Sequence, residues 1–204
     1  ADAEALGRAE ASVEEARRSV KQSDGLDTSD MEKRLEQAAE ALASGNASQA
    51  IGLADGVVRT LERERAAMDD VLRALKQKKK LTKRFEHRDD RADWETMLAD
   101  IAKAADDKTW SHAGMLLEQM TAALDREGHA VEEAQELYDF VTEQWAVLRN
   151  QCEAANIKAT DEDRRACEEA VALAGEHLEV ARLEAALEAL GVADGAMERL
   201  RRRI

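Results

Sequence analysis

The chain has 204 residues and a formal net charge of −14, which results from 44 acidic and 30 basic side chains. This charge argues against nucleic-acid binding, because neutralising phosphates requires a basic surface. No apolar run approaches the ~20 residues that span a bilayer, which argues against membrane insertion. With 44% hydrophobic residues, 3% aromatic residues and no proline, the composition is typical of long helices and predicts an all-α protein.

The N-terminus gives expectations about the compartment and about the extent of the chain. The first four residues, Ala-Asp-Ala-Glu, are not a signal peptide, and the chain does not begin with Met. We therefore expect a cytoplasmic protein and a segment of a longer polypeptide. Protein partners, a second copy of the chain included, are the expected ligands.

Polar, turn-forming segments divide the chain into about seven predicted helices. The first break, residues 22–29, ends in a capping box formed by Ser29 and Glu32. The next is a tight turn, in which Gly45 ends one helix and Asn46 caps the following one. The predicted helices are 2–22, 30–44, 47–85, 91–105, 109–155, 161–175 and 178–203.

The tight turn has counterparts later in the chain, and they predict an internal repeat. Turn signals at residues 106–108 and 175–177 each precede a helix that carries an alanine, at Ala113 and Ala181. Aligning these alanines with Ala50 gives spacings of 63 and 68 residues. The predicted repeats are residues 1–64, 65–127 and 128–204.

The two long predicted helices carry heptad patterns typical of coiled-coil seams. Glu64 interrupts the seam of the third helix and Glu127 that of the fifth. Because these glutamates are 63 residues apart, we interpret both as points where one bundle ends and the next begins. The seam of the fifth helix consists of Leu117, Met120, Leu124, Val131, Ala134, Tyr138, Val141, Trp145, Leu148, Cys152 and Ala155.

The alternation of short and long helices predicts tandem three-helix bundles that share long continuous helices. In this pattern the whole chain resembles spectrin-like repeats, in which continuous helices link successive bundles. The resemblance implies an elongated spacer or scaffold that offers lateral surfaces to protein partners. We therefore expect a non-catalytic, structural protein that mediates protein–protein interaction.

A tetratricopeptide-like α-solenoid is the alternative architecture. Residues 41–61 have the Gly-then-Ala pattern of a helix-turn-helix repeat, and the spacing of 68 is twice that family's 34-residue unit. Such a fold would bind a peptide or a helix in a concave groove. The long predicted helices favour bundles, because a solenoid needs more frequent breaks.

Two cysteines raise the question of a crosslink. Cys152 and Cys167 lie equally far from the centre of the loop predicted between the fifth and sixth helices, so they would face each other in an antiparallel hairpin. A disulfide there would close a loop of about 15 residues. The same separation relates Val20 and Leu35, which are ordinary core positions of the first repeat. We therefore favour two small buried hydrophobic side chains and keep the disulfide as the alternative.

Motifs for catalysis and for cofactor or metal binding are not found in the sequence. The chain has no phosphate-binding loop, dinucleotide glycine pattern, nucleophile elbow or Cys/His zinc spacing. A bundle-core metal site would place Glu three residues before His, and none of the four histidines has this neighbour. We predict that the protein is not an enzyme and needs no cofactor.

Two features of the predicted surface are candidates for partner binding. A basic cluster ends the third helix, where cations also interact favourably with the helix dipole. It consists of Lys76, Lys78, Lys79, Lys80, Lys83 and Arg84. An acidic partner, such as a second copy of the chain, would fit this cluster. The other candidate is the apolar pair Leu137 and Phe140, which lies beside the seam of the fifth helix together with Gln144.

Overall fold

The computed structural model describes residues 2–204, and every regular element within them is helical. The prediction of an all-α protein is confirmed. Ala, Leu, Glu and Arg are strong helix formers, and the absence of proline lets the helices run long. The helices are α1 (Ala3–Lys21), α2 (Ser29–Ala43), α3 (Ala47–Lys76), α4 (Lys78–Thr82), α5 (Arg91–Asp106), α6 (Trp110–Ala154), α7 (Glu162–Glu179) and α8 (Leu183–Arg203).

The predicted tight turn after α2 is present and ends that helix in a Schellman motif. Gly45 has a φ of 76°, in the left-handed region that glycine adopts without a Cβ clash. The N–H of Asn46 donates to the carbonyl of Ala41 at 2.8 Å. The Asn46 side chain accepts a hydrogen bond from the backbone N–H of Gln49 at 3.1 Å, which caps α3 as predicted.

The same turn geometry recurs at three later helix ends. Lys108, Asn156 and Ala181 have φ values of 59°, 62° and 57°. The next backbone N–H groups, of Thr109, Ile157 and Arg182, donate to carbonyls five residues earlier at 3.0, 2.8 and 2.9 Å. After Asn156 a longer loop precedes α7, whereas at the other ends the next helix begins two residues later. Equivalent turns therefore join α2 to α3, α5 to α6 and α7 to α8.

The position of the third turn corrects the sequence analysis. Residues 175–177 were expected to form the turn, but they lie inside α7, which continues to Glu179. Gly175 is a site of close approach instead, because a Cβ there would lie 2.9 Å from the Tyr138 hydroxyl oxygen. Ala181 is in the turn, and the alanine equivalent to Ala50 and Ala113 is Ala186, which is also fully buried.

Ala181 occupies the position at which the first turn has glycine, so we expect Ala181→Gly to stabilise the protein. A left-handed backbone costs a residue with a Cβ about 1–2 kcal/mol, and the greater freedom of glycine in the unfolded chain offsets part of that gain. The free energy of unfolding, measured in urea, should rise by about 0.5–1 kcal/mol. Gly45→Ala is the reverse control and should lower it. An Ala181→Gly variant less stable than the natural chain would contradict this account.

The predicted third helix, 47–85, is also corrected. It ends at Lys76, and after the short helix α4 the chain turns irregularly as far as Asp90. This segment buries Phe85, whose ring stacks on that of Trp94 with 6.4 Å between centroids. It also buries Arg88. The lysines around the end of α3 would by themselves favour a longer helix. The helix ends early where the chain turns and buries these two side chains.

The contacts within the chain separate two compact units. Unit 1 contains the residues up to Lys78 together with Thr96–Met120, and unit 2 contains Lys79–Glu95 and Thr121–Ile204. The prediction of three repeats that meet at residues 64 and 127 stays a prediction. So does their assembly as tandem three-helix bundles.

Each unit has its own apolar core. In unit 1, helices α1, α2 and α3 each contact the other two. Their most deeply buried apolar side chains are Ala9, Val13, Ala16, Met31, Ala38, Ala41, Ala50, Ala54, Val57, Leu61 and Val71. In unit 2, α6, α7 and α8 together bury Val141, Trp145, Leu148, Cys152, Cys167, Val171, Ala174, Leu190, Ala193, Met197 and Leu200. Alanine is frequent in both sets, which lets the helices approach closely.

Candidate interaction surfaces

The predicted basic cluster lies around the end of α3 and the short α4. Lys76 is the last residue of α3, and Lys78, Lys79 and Lys80 belong to α4. All six of its side chains are exposed. Arg84 pairs with Asp125 at 2.7 Å. The role of the basic cluster in partner binding stays a prediction.

A buried arginine next to this cluster was missed by the sequence analysis. The Arg88 side chain is 5% exposed and donates from Nε and Nη2 to both oxygens of Asp90, at 2.8 and 3.0 Å. Nη2 also donates to Glu127 at 3.0 Å, and the guanidinium lies 5.6 Å from the ring centroid of Trp94. The hydrogen bonds to Asp90 raise the pKa of Arg88 and lower that of Asp90.

The two glutamates that interrupt the heptad seams both have polar partners. Glu127 is 39% exposed and pairs with Arg88. Glu64 accepts a hydrogen bond from the hydroxyl of Ser111. Each charge therefore lies at the edge of the apolar seam, where a partner and water can both reach it. The interpretation of these positions as boundaries between bundles stays a prediction.

The apolar pair on α6 is part of a larger exposed feature. Leu137 is 41% exposed, Phe140 55% and Val147 60%; we call these three residues the α6 strip. Sequence reasoning missed Val147. A shallow groove of about 340 Å³ lies along the strip. Its lining is Phe140, Glu143, Gln144, Val147, Leu148 and Gln151 of α6 with Arg201 of α8.

The α6 strip rests on a packed core. Val141, Trp145 and Leu148 point inward from the same helix, and each is less than 5% exposed. They pack with residues of α7 and α8 in the unit 2 core. The backbone beneath the strip is therefore held in place, so the exposed side chains are presented by a rigid helix.

Both cysteines are free thiols and lie in one core cluster. Cys152 and Cys167 are fully buried among the apolar side chains of α6, α7 and α8. Burial raises the pKa of the Cys167 thiol to about 12 and also raises that of Cys152. Since the thiolate is the reactive form, both residues behave as small apolar side chains.

Four arginines lie near the end of α8, and two of them are neutralised by carboxylates at the start of α7; the four are Arg199, Arg201, Arg202 and Arg203. Asp161 caps α7 by accepting hydrogen bonds from the N–H groups of Asp163 and Arg164. Arg203 donates to both Asp161 oxygens at 3.0 and 2.7 Å, and Arg199 donates to Asp163 at 2.9 Å. The Arg203 guanidinium lowers the pKa of Asp161 to about 2. The acidic start of one helix thus pairs with arginines near the end of another.

Within the described residues, no three His, Cys, Asp or Glu side chains are grouped in a way that could hold a metal ion. None of the helices in residues 2–204 combines the length and the hydropathy needed to cross a membrane. Comparison with protein-family models, with curated proteins and with solved structures gives no match.

Proposed function

We propose that the chain is a non-catalytic helical scaffold or spacer that mediates protein–protein interaction within a longer polypeptide. The α6 strip carries this proposal. Leu137, Phe140, Gln144 and Val147 follow the spacing of one helix face, and Glu143, Gln151 and Arg201 supply polar neighbours. An apolar centre with a polar rim is the usual anatomy of a protein-binding surface.

The partner that fits the α6 strip best is an amphipathic helix. The groove is shallow and runs between two helices, which is the geometry that accepts apolar side chains at positions i, i+3, i+4 and i+7 of a bound helix. Phe140 is the largest exposed apolar side chain of the strip and would be its anchor, because aromatic residues dominate binding energies at interfaces.

The spacer part of the proposal draws on the length of α6. This helix runs for 45 residues without interruption and contributes residues to both units. At a rise of about 1.5 Å per residue it measures about 67 Å. A continuous helix of this length suits a protein that holds flanking modules at a set distance. Solution scattering tests the spacer: a radius of gyration well above the ~17 Å of a compact globule of this size would support it.

The interaction is tested by removing the apolar character of the strip. A displayed library of amphipathic helical peptides is selected against the natural chain, and its binders are measured against Phe140→Glu/Val147→Glu. We expect binding to fall at least tenfold, because the variant places two charges in the groove. Leu72→Glu/Leu173→Glu is the matched control, since both leucines are exposed elsewhere, at 47% and 46%.

Two results would contradict the interaction. One is a library that yields no binder, and the other is equal binding to both double variants. Circular dichroism of each variant verifies that the helices are intact. When the helices are intact, a loss of binding reports on the surface alone.

The alternative function is peptide binding in the concave groove of a tetratricopeptide-like solenoid. One observation favours it: the three turns between α2 and α3, α5 and α6, and α7 and α8 share one geometry, as repeated helical hairpins would. Solution scattering discriminates between the two. An elongated rod supports the spacer, whereas a compact or curved particle supports the solenoid.

A further inference from the structure

A second surface, in unit 1, is rich in positive charge although the chain as a whole is acidic. A groove of about 630 Å³ lies between α2 and α3. We call it the arginine groove. It is lined by Arg34, Gly56, Arg59, Thr60, Glu62, Arg63 and Ala66. The three arginines are exposed to solvent at its sides.

Two of the three guanidinium groups in this groove share an acceptor that is not a carboxylate. Arg34 and Arg63 each donate to the hydroxyl oxygen of Thr60 at 3.3 Å, and that hydroxyl donates to the carbonyl of Gly56 at 2.9 Å. Although Glu62 also lines the groove, no acidic side chain in residues 2–204 forms an ion pair with Arg34, Arg59 or Arg63. Although the chain has 44 acidic residues, these three arginines are left without an ion-pair partner within the described residues.

The floor of the arginine groove is open. Gly56 lies on the outer face of α3, and a Cβ added there would meet no atom within 4 Å. A glycine inside a helix is destabilising relative to alanine. Here it leaves room for another chain to approach the helix backbone between the arginines.

Arginines near the end of α8 offer a comparison, although they lie one residue further from the shared pattern. Residues 52–56 of α3 and 191–195 of α8 share the pattern Gly-x-Ala-Asp-Gly, and arginines follow in both helices. In α8, Arg199 and Arg203 pair with Asp161 and Asp163 at the start of α7. Arg59 and Arg63, the first two arginines after the pattern in α3, form no ion pair within residues 2–204, so a carboxylate from another molecule could pair with them.

We propose that the arginine groove binds a carboxylate-rich helical segment of a protein partner, with Arg59 and Arg63 pairing with two of its acidic side chains. These arginines are four residues apart and therefore lie on one helix face, where they match carboxylates on consecutive turns of a partner helix. A nucleic acid fits less well, since three arginines offer few phosphate contacts and the net charge of −14 repels a long polyanion. Charges far from the groove are screened for a short peptide, because the Debye length is about 10 Å at 0.1 M salt.

The probe for this site is a synthetic alanine-rich helical peptide with glutamates at i and i+4, compared with the same peptide carrying glutamines. Calorimetry at low and at physiological salt should show binding of the glutamate peptide only, with affinity that falls as salt rises. Arg59→Gln/Arg63→Gln should weaken binding at least tenfold. Arg8→Gln/Arg73→Gln makes the same change in net charge at exposed arginines outside the groove and should change binding less than twofold.

Several outcomes would overturn the inference. If both double variants lost the same affinity for the glutamate peptide, the binding would depend only on the net charge of the protein. Equal binding of the glutamine peptide, or no binding of the glutamate peptide at low salt, would remove the site. Tighter binding of pyrophosphate or of a DNA duplex would assign the groove to phosphate ligands instead. Because the groove lies in unit 1, Phe140→Glu/Val147→Glu should leave peptide binding unchanged, so failure here is distinguishable from failure of the α6 strip.

Discussion

Trp145→Ala is expected to lower the free energy of unfolding by about 3–5 kcal/mol, the cost of emptying a large aromatic site in a packed core. Trp145 is 3% exposed and packs within the cluster formed by α6, α7 and α8. The small side chains around it, such as Cys152 and Ala174, leave few atoms that could move into the cavity. Urea unfolding followed by circular dichroism measures the loss.

Trp145→Phe separates packing from hydrogen bonding at this site. The indole Nε1 of Trp145 is buried and, within the described residues, has no hydrogen-bond partner. Replacing the indole with phenyl removes that unpaired donor and keeps an aromatic ring, so we expect a loss below about 2 kcal/mol. Val147→Ala, on the exposed side of α6, should cost less than about 0.5 kcal/mol. A Trp145→Ala variant as stable as Val147→Ala would contradict the assigned core.

Arg88→Met is expected to lower the free energy of unfolding by about 2–3 kcal/mol. Breaking a fully buried ion pair costs about 3–5 kcal/mol, and the effect is smaller here because Asp90 and Glu127 remain 42% and 39% exposed. The variant also loses the contact between the guanidinium and Trp94. Arg88→Lys should recover only part of the loss, since an ammonium cannot reproduce the two parallel bonds to Asp90.

The effect of Arg88→Met should depend on pH. The hydrogen bonds from Arg88 hold the pKa of Asp90 below its ordinary value of 3.8. The stability from this pair is therefore fully present above that value and is lost as the pH falls through the lowered pKa. The difference between the natural chain and the variant should shrink in acid. Arg91→Met is the control, because its pair with Glu95 is exposed on both sides and should contribute little.

Local signals in the sequence were sufficient for most helices but not for three of their ends, which are the end of α3, the end of α7 and the start of α8. The cap at Asn46 is encoded within a few residues, and its prediction is confirmed. The seam positions predicted on α6 are buried or half-buried, except that Ala155 is exposed and lies beyond the end of the helix. The end of α3 coincides with burial of Phe85 and Arg88 against residues distant in sequence, which no local pattern reveals. The turn predicted at Gly175 was wrong, because this glycine makes room for the Tyr138 hydroxyl and does not end a helix.

The candidate surfaces were predictable only where they lie on a single helix. Leu137 and Phe140 could be found because they fall beside the heptad seam of α6. The arginine groove could not, since it depends on Arg34 of α2 meeting Arg63 of α3 at one threonine hydroxyl. Such a cluster exists only after the two helices have packed. Sequence reasoning therefore located the apolar strip and missed the cationic groove.

The burial of the two cysteines gives the protein an internal reporter of its own opening. The chain contains no other thiols, and both are fully buried within one core. A thiol reagent can modify them only when the helices around them separate. The modification rate, measured under native conditions without any labelling mutation, therefore gives the free energy of that separation. The same rate measured in saturating partner shows whether binding at the α6 strip makes this part of the protein open less often.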